Sequence, residues 1–230
     1  MAKTADLAAL MGAALAEGAL PGEDEGFGAD QRVEAARFVA RAMERRAAGT
    51  PAMLLEATTD AAAGRMHRLA IINDDMPFLV DSVAQALAAD GVHLYRLIHP
   101  VVLAVRDGEG VLQSVADKDA SAEGKRESVI YIEMAALSAK AAEALPTKMA
   151  AVLADVRAAT SDWMKMKVAL SDAADGLPDG EGAALLRWLL DDHFTLLGSE
   201  MRAADGGRHD CLGLARTRES SLISDGGAEL

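Results

Sequence analysis

The chain contains very little cysteine and no long apolar run. Cys211 is the single cysteine among 230 residues, so no disulfide can form within the chain. A core of this size without disulfides is typical of proteins from a reducing compartment, and we therefore predict a cytoplasmic location. No stretch approaches the ~18 consecutive apolar residues of a membrane-spanning helix. Asp6 and Glu17 interrupt the alanine-rich start of the chain, which favours an amphipathic helix there over a secretory signal.

Basic residues are also under-represented. The sequence holds 23 lysines and arginines against 36 aspartates and glutamates, which gives a formal net charge of −13 at pH 7. A chain of this charge repels the phosphates of nucleic acids and of anionic lipids, so we expect neither a nucleic acid nor a membrane as a partner. The hydrophobic fraction is 51%, which is enough apolar material for one large domain or two small ones with a buried core.

Recognisable catalytic and metal-binding motifs are missing as well. The segment GEGAAL at 180–185 offers two glycines of a dinucleotide-binding loop, but a leucine replaces the third and no strand is predicted before it. His209 and Cys211 lie two residues apart in a predicted turn, which is too few ligands for a metal site. His93 and His99 share a predicted strand with no nucleophile elbow nearby. We therefore predict no catalytic residue, no metal and no cofactor site in this chain.

The apolar pattern predicts helices first and then a sheet. Helices are predicted over about 4–17 and 30–48, and the short run HRLAII at 67–72 predicts a strand. The helix that follows Pro77 is the best defined, because its apolar residues recur at helical spacing. Pro77 suits the first helical position, and Gly91 is placed where a left-handed residue ends a helix.

The middle of the sequence predicts antiparallel strands. Residues 92–107 are apolar at strand length, and Pro100 predicts a bulge or an edge there because proline cannot donate a ladder hydrogen bond. The segment DGEG at 107–110 predicts a hairpin turn, after which a strand returns. Residues 117–127 are small and polar and predict an insertion loop, whereas 128–134 predict a further strand.

The last part of the sequence predicts a long helix and a second group of elements. Residues 138–170 are helical in pattern, with a break or a new helix start at Pro146 and with Trp163 in the apolar stripe. A linker, a short helix and two strands follow. The predicted domains are an N-terminal helical segment at 1–60, a central domain at 61–175, and a linker with the start of a second, truncated module at 176–230.

The junction between the strand at 67–72 and the helix after it is the candidate functional site. Acidic side chains before a helix can cap its free N–H groups, which is a purely structural role. The same geometry suits an amino acid, because free N–H groups can bind its carboxylate and Asp74 or Asp75 can hold its ammonium group. The candidate residues for ligand binding or docking are Asn73, Asp74, Asp75, Met76, Pro77 and Phe78.

The order of these elements resembles the ACT domain, a ferredoxin-like βαββαβ module that often senses amino acids. The segment DMPFLVDSVAQALAADGVHL carries the resemblance through its turn and first helix. The resemblance implies an α+β fold in which helices pack on an antiparallel ACT-like sheet, here with extra N-terminal helices. Amino acid-binding ACT domains usually have glycine after the proline, where this chain has Phe78. Phe78 therefore favours docking of a neighbouring module over binding of a small molecule.

A second resemblance covers nearly the whole chain. The segments NDDMPFLVDSV, HPVVLAVRDGEGVL, ESVIYIEM, VLADVRAATSDWMKM and LLRWLLDDHFTLLG are similar to the N-terminal region of the large bacterial NAD-specific glutamate dehydrogenases. The resemblance implies a non-catalytic regulatory or assembly region of a longer enzyme, whose NAD and catalytic residues belong to other parts of it. The implied partners are other domains and subunits of that enzyme, with an amino acid as a possible effector. The alternative is a free-standing ACT-type regulator that binds an amino acid.

Overall fold

A computed structural model describes residues 4–19, 26–60, 64–117, 124–202 and 207–216. In chain order its elements are α1 (Thr4–Gly18), α2 (Ala29–Met43), β1 (Ala52–Asp60), β2 (Gly64–Asp74), α3 (Leu79–Ala89), β3 (Leu94–Ile98), β4 (Val101–Arg106), β5 (Leu112–Asp117), β6 (Lys125–Ala135), α4 (Ala139–Asp175), α5 (Glu181–Trp188), a π-helical turn (Leu189–His193), β7 (Gly198–Arg202), β8 (Arg208–Gly213) and a 3-10 turn (Leu214–Arg216). The predicted α+β class with an antiparallel sheet is confirmed.

The chain divides into two compact units. Unit 1 consists of Met1–Met76 and Val80–Ala150, and unit 2 consists of Pro77–Leu79 and Ala151–Leu230. These bounds differ from the predicted domain boundaries, since the first 60 residues belong to the same unit as the sheet.

The sheet of unit 1 has six antiparallel strands, five of which follow the order β1-β2-β6-β4-β5. The sixth strand, β3, pairs with the same edge of β6 as β4 does, but at the other end of β6. The central strands β2 and β6 are apolar on both faces, as expected of strands that are covered on both sides. One face packs on α1 and α2, because Ile72 and Tyr131 share a buried cluster with Met11 and Phe38. The opposite face is buried too, since Ile71 has no exposed surface.

Pro100 interrupts the strand that was predicted over 92–107. The chain forms β3 and β4 on either side of His99 and Pro100, and both strands pair with β6. The Pro100 carbonyl accepts a hydrogen bond of 2.9 Å from the Val129 N–H, so the ladder continues where proline has no donor. The predicted irregularity at Pro100 is confirmed, as is the hairpin turn that joins β4 to β5.

Two elements near the N-terminus differ from the predictions. The helix predicted to reach residue 48 ends at Met43. Residues 52–60, expected to belong to a helical segment, form β1 and pair along their whole length with β2.

An ACT-like βαββαβ module is expected to have its last strand after its second helix. Here an additional strand joins the sheet from before the module, and β7 and β8 form a separate two-stranded sheet.

The start of α3 differs from the prediction, and its end confirms it. Pro77 is not the first helical residue, because Phe78 has a positive φ of 68° and the helix begins at Leu79. At the other end Gly91 has a φ of 71°. The Val92 N–H bonds to the Leu87 carbonyl at 3.1 Å and the Gly91 N–H bonds to the Ala88 carbonyl at 2.9 Å. These two bonds form a Schellman motif with Gly91 as the left-handed residue.

Gly91→Val is expected to lower the free energy of unfolding of unit 1 by about 1–2 kcal/mol. The cause is the backbone alone, because no atom lies within 4 Å of the Cβ that a side chain would add at this glycine. Denaturant unfolding of parent and variant measures the difference. Gly91→Asn is the matched control, because asparagine tolerates a positive φ, and it is expected to cost less than half as much. Coinciding curves for parent and valine variant would show that the left-handed conformation is not required.

The helix α4 runs for 37 residues without a break at Pro146, so the predicted interruption there is wrong. A proline inside a helix removes one backbone hydrogen bond and costs about 3 kcal/mol. Leu145 and Met149 on either side are buried, and their burial offsets that cost. Trp163, predicted within the apolar stripe, is 41% exposed.

In unit 2, β7 and β8 form the predicted antiparallel pair. The carboxylate of Asp162 in α4 accepts a hydrogen bond of 3.0 Å from the Gly213 N–H and one of 2.9 Å from Arg216. The bond from the Gly213 backbone lowers the pKa of Asp162, and Lys165 and Arg216 act in the same direction. Asp162 thereby ties the end of β8 to α4.

Candidate docking and effector site

The junction predicted as the functional site connects the last residues of β2 to α3. Asn73 and Asp74 are the final residues of β2, and in the sheet register they lie opposite Ser128 and Glu127 of β6. Asn73 is buried at 1% exposure. The junction is therefore split between a buried strand end and a more exposed turn.

Both acidic side chains proposed to hold an ammonium group bind arginines. The Asp74 carboxylate lies 2.6 Å from a terminal nitrogen of Arg46. The Asp75 carboxylate lies 2.8 Å from Nε of Arg126, and the Asp75 N–H also donates to the Arg126 carbonyl at 3.2 Å. An ammonium group at this point would share these carboxylates with arginines that already offset their charge, which weakens the electrostatic attraction of an amino acid ligand there.

Arg46 belongs to a buried charge network that the sequence did not reveal. The Glu127 side chain is 1% exposed and lies between Arg46, at 3% exposure, and Arg106, at 10%. Arg46 donates to Glu127 Oε1 from two nitrogens, at 3.0 and 2.7 Å. Arg106 donates to both carboxylate oxygens, at 2.8 and 2.9 Å. Four charge-assisted hydrogen bonds therefore satisfy a single buried carboxylate.

The network stabilises the charged form of Arg46 and fixes the loop after α2. Burial alone would lower the pKa of Arg46, but its hydrogen bonds to Glu127 and Asp74 outweigh burial and raise that pKa above its ordinary value. Arg106 also donates to the Met43 carbonyl at 2.9 Å and to the Gly110 carbonyl at 3.0 Å. The network therefore fastens the end of α2 and the hairpin turn to the same end of the sheet.

Of the remaining three candidates, Met76 is half-buried in unit 1, and Pro77 and Phe78 line an apolar groove within unit 2. The groove has a volume of about 460 Å³, and Trp163, Phe194 and Leu197 also line it. The Phe78 side chain is 52% exposed, and its backbone has a positive φ of 68°. A bulky residue rarely adopts this conformation, and strained residues of this kind cluster at binding sites and switches.

Large exposed apolar side chains are concentrated in unit 2. Of the thirteen found among the described residues, ten belong to unit 2, and the other three are Leu10, Val33 and Tyr95. The ten side chains are those of Phe78, Trp163, Met164, Val168, Leu177, Leu185, Trp188, Phe194, Leu197 and Met201. Four of them, Phe78, Trp163, Phe194 and Leu197, line the same groove, and a contiguous exposed apolar surface is typical of an interaction site.

Two groups of residues considered for catalysis and cofactor binding have surroundings that do not suit those roles. His99 Nε2 and Ser128 Oγ lie 2.6 Å apart, but Ser128 has no exposed surface and its hydroxyl cannot reach a substrate. The glycines at 180 and 182 lie at the start of α5, and the element before α5 is the helix α4. A dinucleotide-binding loop connects a strand to a helix, so these glycines do not fit a dinucleotide. No cluster of three or more potential metal ligands occurs in the described part of the chain. None of its helices has the length and apolar character needed to cross a membrane.

Comparison with known proteins supports the resemblances. A family profile described as "Glutamate dehydrogenase, ACT1 domain" matches residues 19–149. The chain belongs to this glutamate dehydrogenase ACT1 family. The matched segment coincides closely with unit 1, except that α1 precedes it. The family match confirms the ACT-like interpretation of the sheet.

Two curated relatives carry the same name. The NAD-specific glutamate dehydrogenase of Halomonas elongata is 38% identical over 144 residues, which cover 56% of this chain and 9% of that protein. The NAD-specific glutamate dehydrogenase of Pseudomonas aeruginosa is 32% identical over 178 residues, which cover 67% of this chain and 11% of that protein. The chain therefore matches about a tenth of the length of each relative.

Proposed function

We propose that this ACT1-family chain is a non-catalytic regulatory and assembly region of an NAD-specific glutamate dehydrogenase in the cytoplasm. The whole enzyme would convert L-glutamate and NAD to 2-oxoglutarate, ammonia and NADH. NAD would bind outside this chain, and the glycines at 180 and 182 do not fit a dinucleotide because no strand directly precedes α5. The family match and the names of the two relatives support this proposal.

The exposed apolar surface of unit 2 is the observation that carries the assembly role. We define the docking groove as the surface around Phe78, Trp163, Phe194 and Leu197. Aromatic side chains dominate protein interfaces because each buries a large apolar area with little conformational freedom to lose. The proposed occupant is another domain or subunit of the same enzyme, since the relatives extend far beyond the matched segment.

Phe78→Ala tests docking in a full-length dehydrogenase that carries this chain. The change should weaken subunit or domain association by ~10-fold or more, because truncation of an interface aromatic removes a central contact. Analytical ultracentrifugation over a range of concentrations measures association. The isolated chain should melt at nearly the same temperature as the parent, because Phe78 is half-exposed.

Tyr95→Ala is the matched control. Tyr95 is a half-exposed aromatic residue of unit 1 and does not line the groove. Its replacement should leave association unchanged. Equal association constants for parent and Phe78→Ala would refute the docking groove. Oxidation of glutamate by the isolated chain, measured as NADH formation, would refute the non-catalytic role.

A further inference from the structure

An extended segment with unpaired backbone precedes β7 in unit 2. Phe194 has extended φ and ψ of −147° and 139°, and the chain runs from it into β7 at Gly198. The backbones of Phe194, Thr195 and Leu196 make no hydrogen bond within the described part of the chain. Unpaired N–H and C=O groups on an extended chain are a template for the addition of another strand. The segment lies outside residues 19–149, which the family profile matches.

One edge of this segment faces away from β8. The Leu197 carbonyl accepts a hydrogen bond of 2.9 Å from the Leu214 N–H, which directly follows β8. Successive residues of an extended chain direct their backbone groups to opposite sides, so those of Leu196 and Phe194 point to the other side. A two-stranded sheet such as β7–β8 is marginal in water, and further strands stabilise it. A partner strand at this edge would extend the sheet.

The segment is apolar and uncharged in a strongly acidic chain. Residues 193–199, HFTLLGS, include no lysine, arginine, aspartate or glutamate, whereas the whole chain has a net charge of −13. Phe194 and Leu197 line the docking groove, and the charge of Asp192 at the same groove is offset by Lys167, whose Nζ lies 2.8 Å away. Copies of an acidic chain repel each other, so a neutral apolar surface is where two copies can approach.

We propose that this segment pairs antiparallel with the same segment of a second copy of the chain, about a twofold axis at Thr195. Phe194 of each copy then lies opposite Leu196 of the other, and the two residues exchange both of their backbone hydrogen bonds. The two Thr195 side chains lie opposite each other, and threonine pairs of this kind stabilise sheets. The pairing names the occupant of the docking groove and therefore rests on the assembly role proposed above.

The charges that flank the segment select this register. A register in which Leu196 lies opposite its own copy would place Asp192 opposite Glu200, and like charges in that position destabilise a sheet. A register in which Phe194 lies opposite its own copy would place Asp192 opposite Leu196. With the axis at Thr195, Asp192 lies opposite Gly198 and no two charged residues of the segment face each other.

Sedimentation of the chain with charges at Thr195 tests the pairing. We expect the parent to dimerise at submillimolar concentration. Thr195→Asp and Thr195→Lys each place two like charges opposite each other, so each should raise the dissociation constant of the dimer by ~10-fold or more. An equal mixture of the two variants should restore association, because aspartate then lies opposite lysine. Thr195 is exposed, so neither change should lower the melting temperature.

Thr59→Asp is the matched control for these variants. Thr59 is an exposed threonine of β1 in unit 1, and its replacement should leave the dissociation constant unchanged. A parent chain that stays monomeric at submillimolar concentration would overturn the proposal. The same conclusion would follow if the mixture of the aspartate and lysine variants associated no better than either variant alone.

Disulfide cross-linking locates the axis. Facing residues of a non-hydrogen-bonded antiparallel pair have Cα atoms about 4.5 Å apart, which is within reach of a disulfide. Thr195→Cys in a Cys211→Ser background, which removes the native free thiol, should therefore form a covalent dimer when diamide is the oxidant. Thr59→Cys in the same background should remain a monomer on a non-reducing gel. Equal yields of covalent dimer from both variants would refute an axis at Thr195.

The full-length dehydrogenase separates the strand pairing from the docking role. Thr195→Asp should weaken subunit association there, as Phe78→Ala is expected to do. If Phe78→Ala weakens association and Thr195→Asp does not, the groove binds a different partner and the strand pairing is refuted. If Thr195→Asp weakens association and Phe78→Ala does not, the strand pairing stands and the docking role of Phe78 fails.

Discussion

Glu127→Ala should lower the free energy of unfolding of unit 1 by about 3–5 kcal/mol, because it leaves the buried Arg46 and the partly buried Arg106 without their shared partner. Arg46 and Arg106 would keep their charge while losing four hydrogen bonds. Asp74, which lies 2.6 Å from Arg46, would remain as a partner of that arginine. Denaturant unfolding monitored by circular dichroism measures the loss.

Glu109→Ala is the control for this prediction. Its side chain is 81% exposed and lies 3.9 Å from Arg45, which is also exposed. An ion pair of this kind contributes about 0–1 kcal/mol. Similar losses for Glu109→Ala and Glu127→Ala would show that the buried network does not hold the end of the sheet together.

Gly213→Ala should destabilise unit 2 by about 3 kcal/mol or more. Gly213 has a φ of 58°, and a Cβ there would lie 2.4 Å from the Leu197 carbonyl oxygen. The neighbouring Leu214 N–H donates to that same oxygen at 2.9 Å. The backbone of β7 would have to move, and the bond from the Gly213 N–H to Asp162 would be lost with it.

Hydrogen exchange followed by mass spectrometry can localise this effect, since a chain with two units need not unfold in one transition. Exchange should accelerate in β7 and β8 and stay unchanged in β2 and β6. Gly182→Ala is the matched control in unit 2. Its nearest atom beyond the helix is Leu177 Cδ1 at 3.6 Å, an ordinary contact, so alanine there should stabilise α5 by about 0.5–1 kcal/mol. Equal rates of hydrogen exchange in β7 and β8 of the parent and of Gly213→Ala would contradict the predicted clash with the Leu197 carbonyl oxygen.

Elements with a strong local signal were predictable from the sequence. The end of α3 depends on one glycine with a positive φ, and the turn after β4 depends on a short run of turn-forming residues. The strand predicted over 128–134 forms the apolar part of β6, which begins three residues earlier at Lys125. In each case the conformation follows from residues close together in the chain, which a single sequence displays.

Elements that depend on distant partners were not predictable. Residues 52–57, AMLLEA, favour a helix by composition, but pairing with β2 makes them a strand. Pro146 signals a helix break locally, whereas buried neighbours on both sides keep α4 intact. The charge network joins residues 46, 106 and 127, and no local pattern relates positions so far apart.

The backbone conformation at the candidate site was not predictable. The sequence placed Pro77 at the first helical position, whereas Phe78 has a positive φ, a conformation that glycine normally occupies. The sequence could not show that arginines bind Asp74 and Asp75, because Arg46 and Arg126 lie far away in the chain. The roles of these residues in docking or binding remain predictions for the experiments above.

The early position of β1 affects the order in which the protein can fold during synthesis. The six-stranded sheet takes all its strands from residues 52–135, including the edge strand that a βαββαβ order would supply last. Ribosomes add about 5–20 residues per second, and N-terminal domains generally fold first. The sheet can therefore be complete before β7 and β8 have left the ribosome. A nascent chain stalled after about residue 190 should already protect β2 and β6 from a protease.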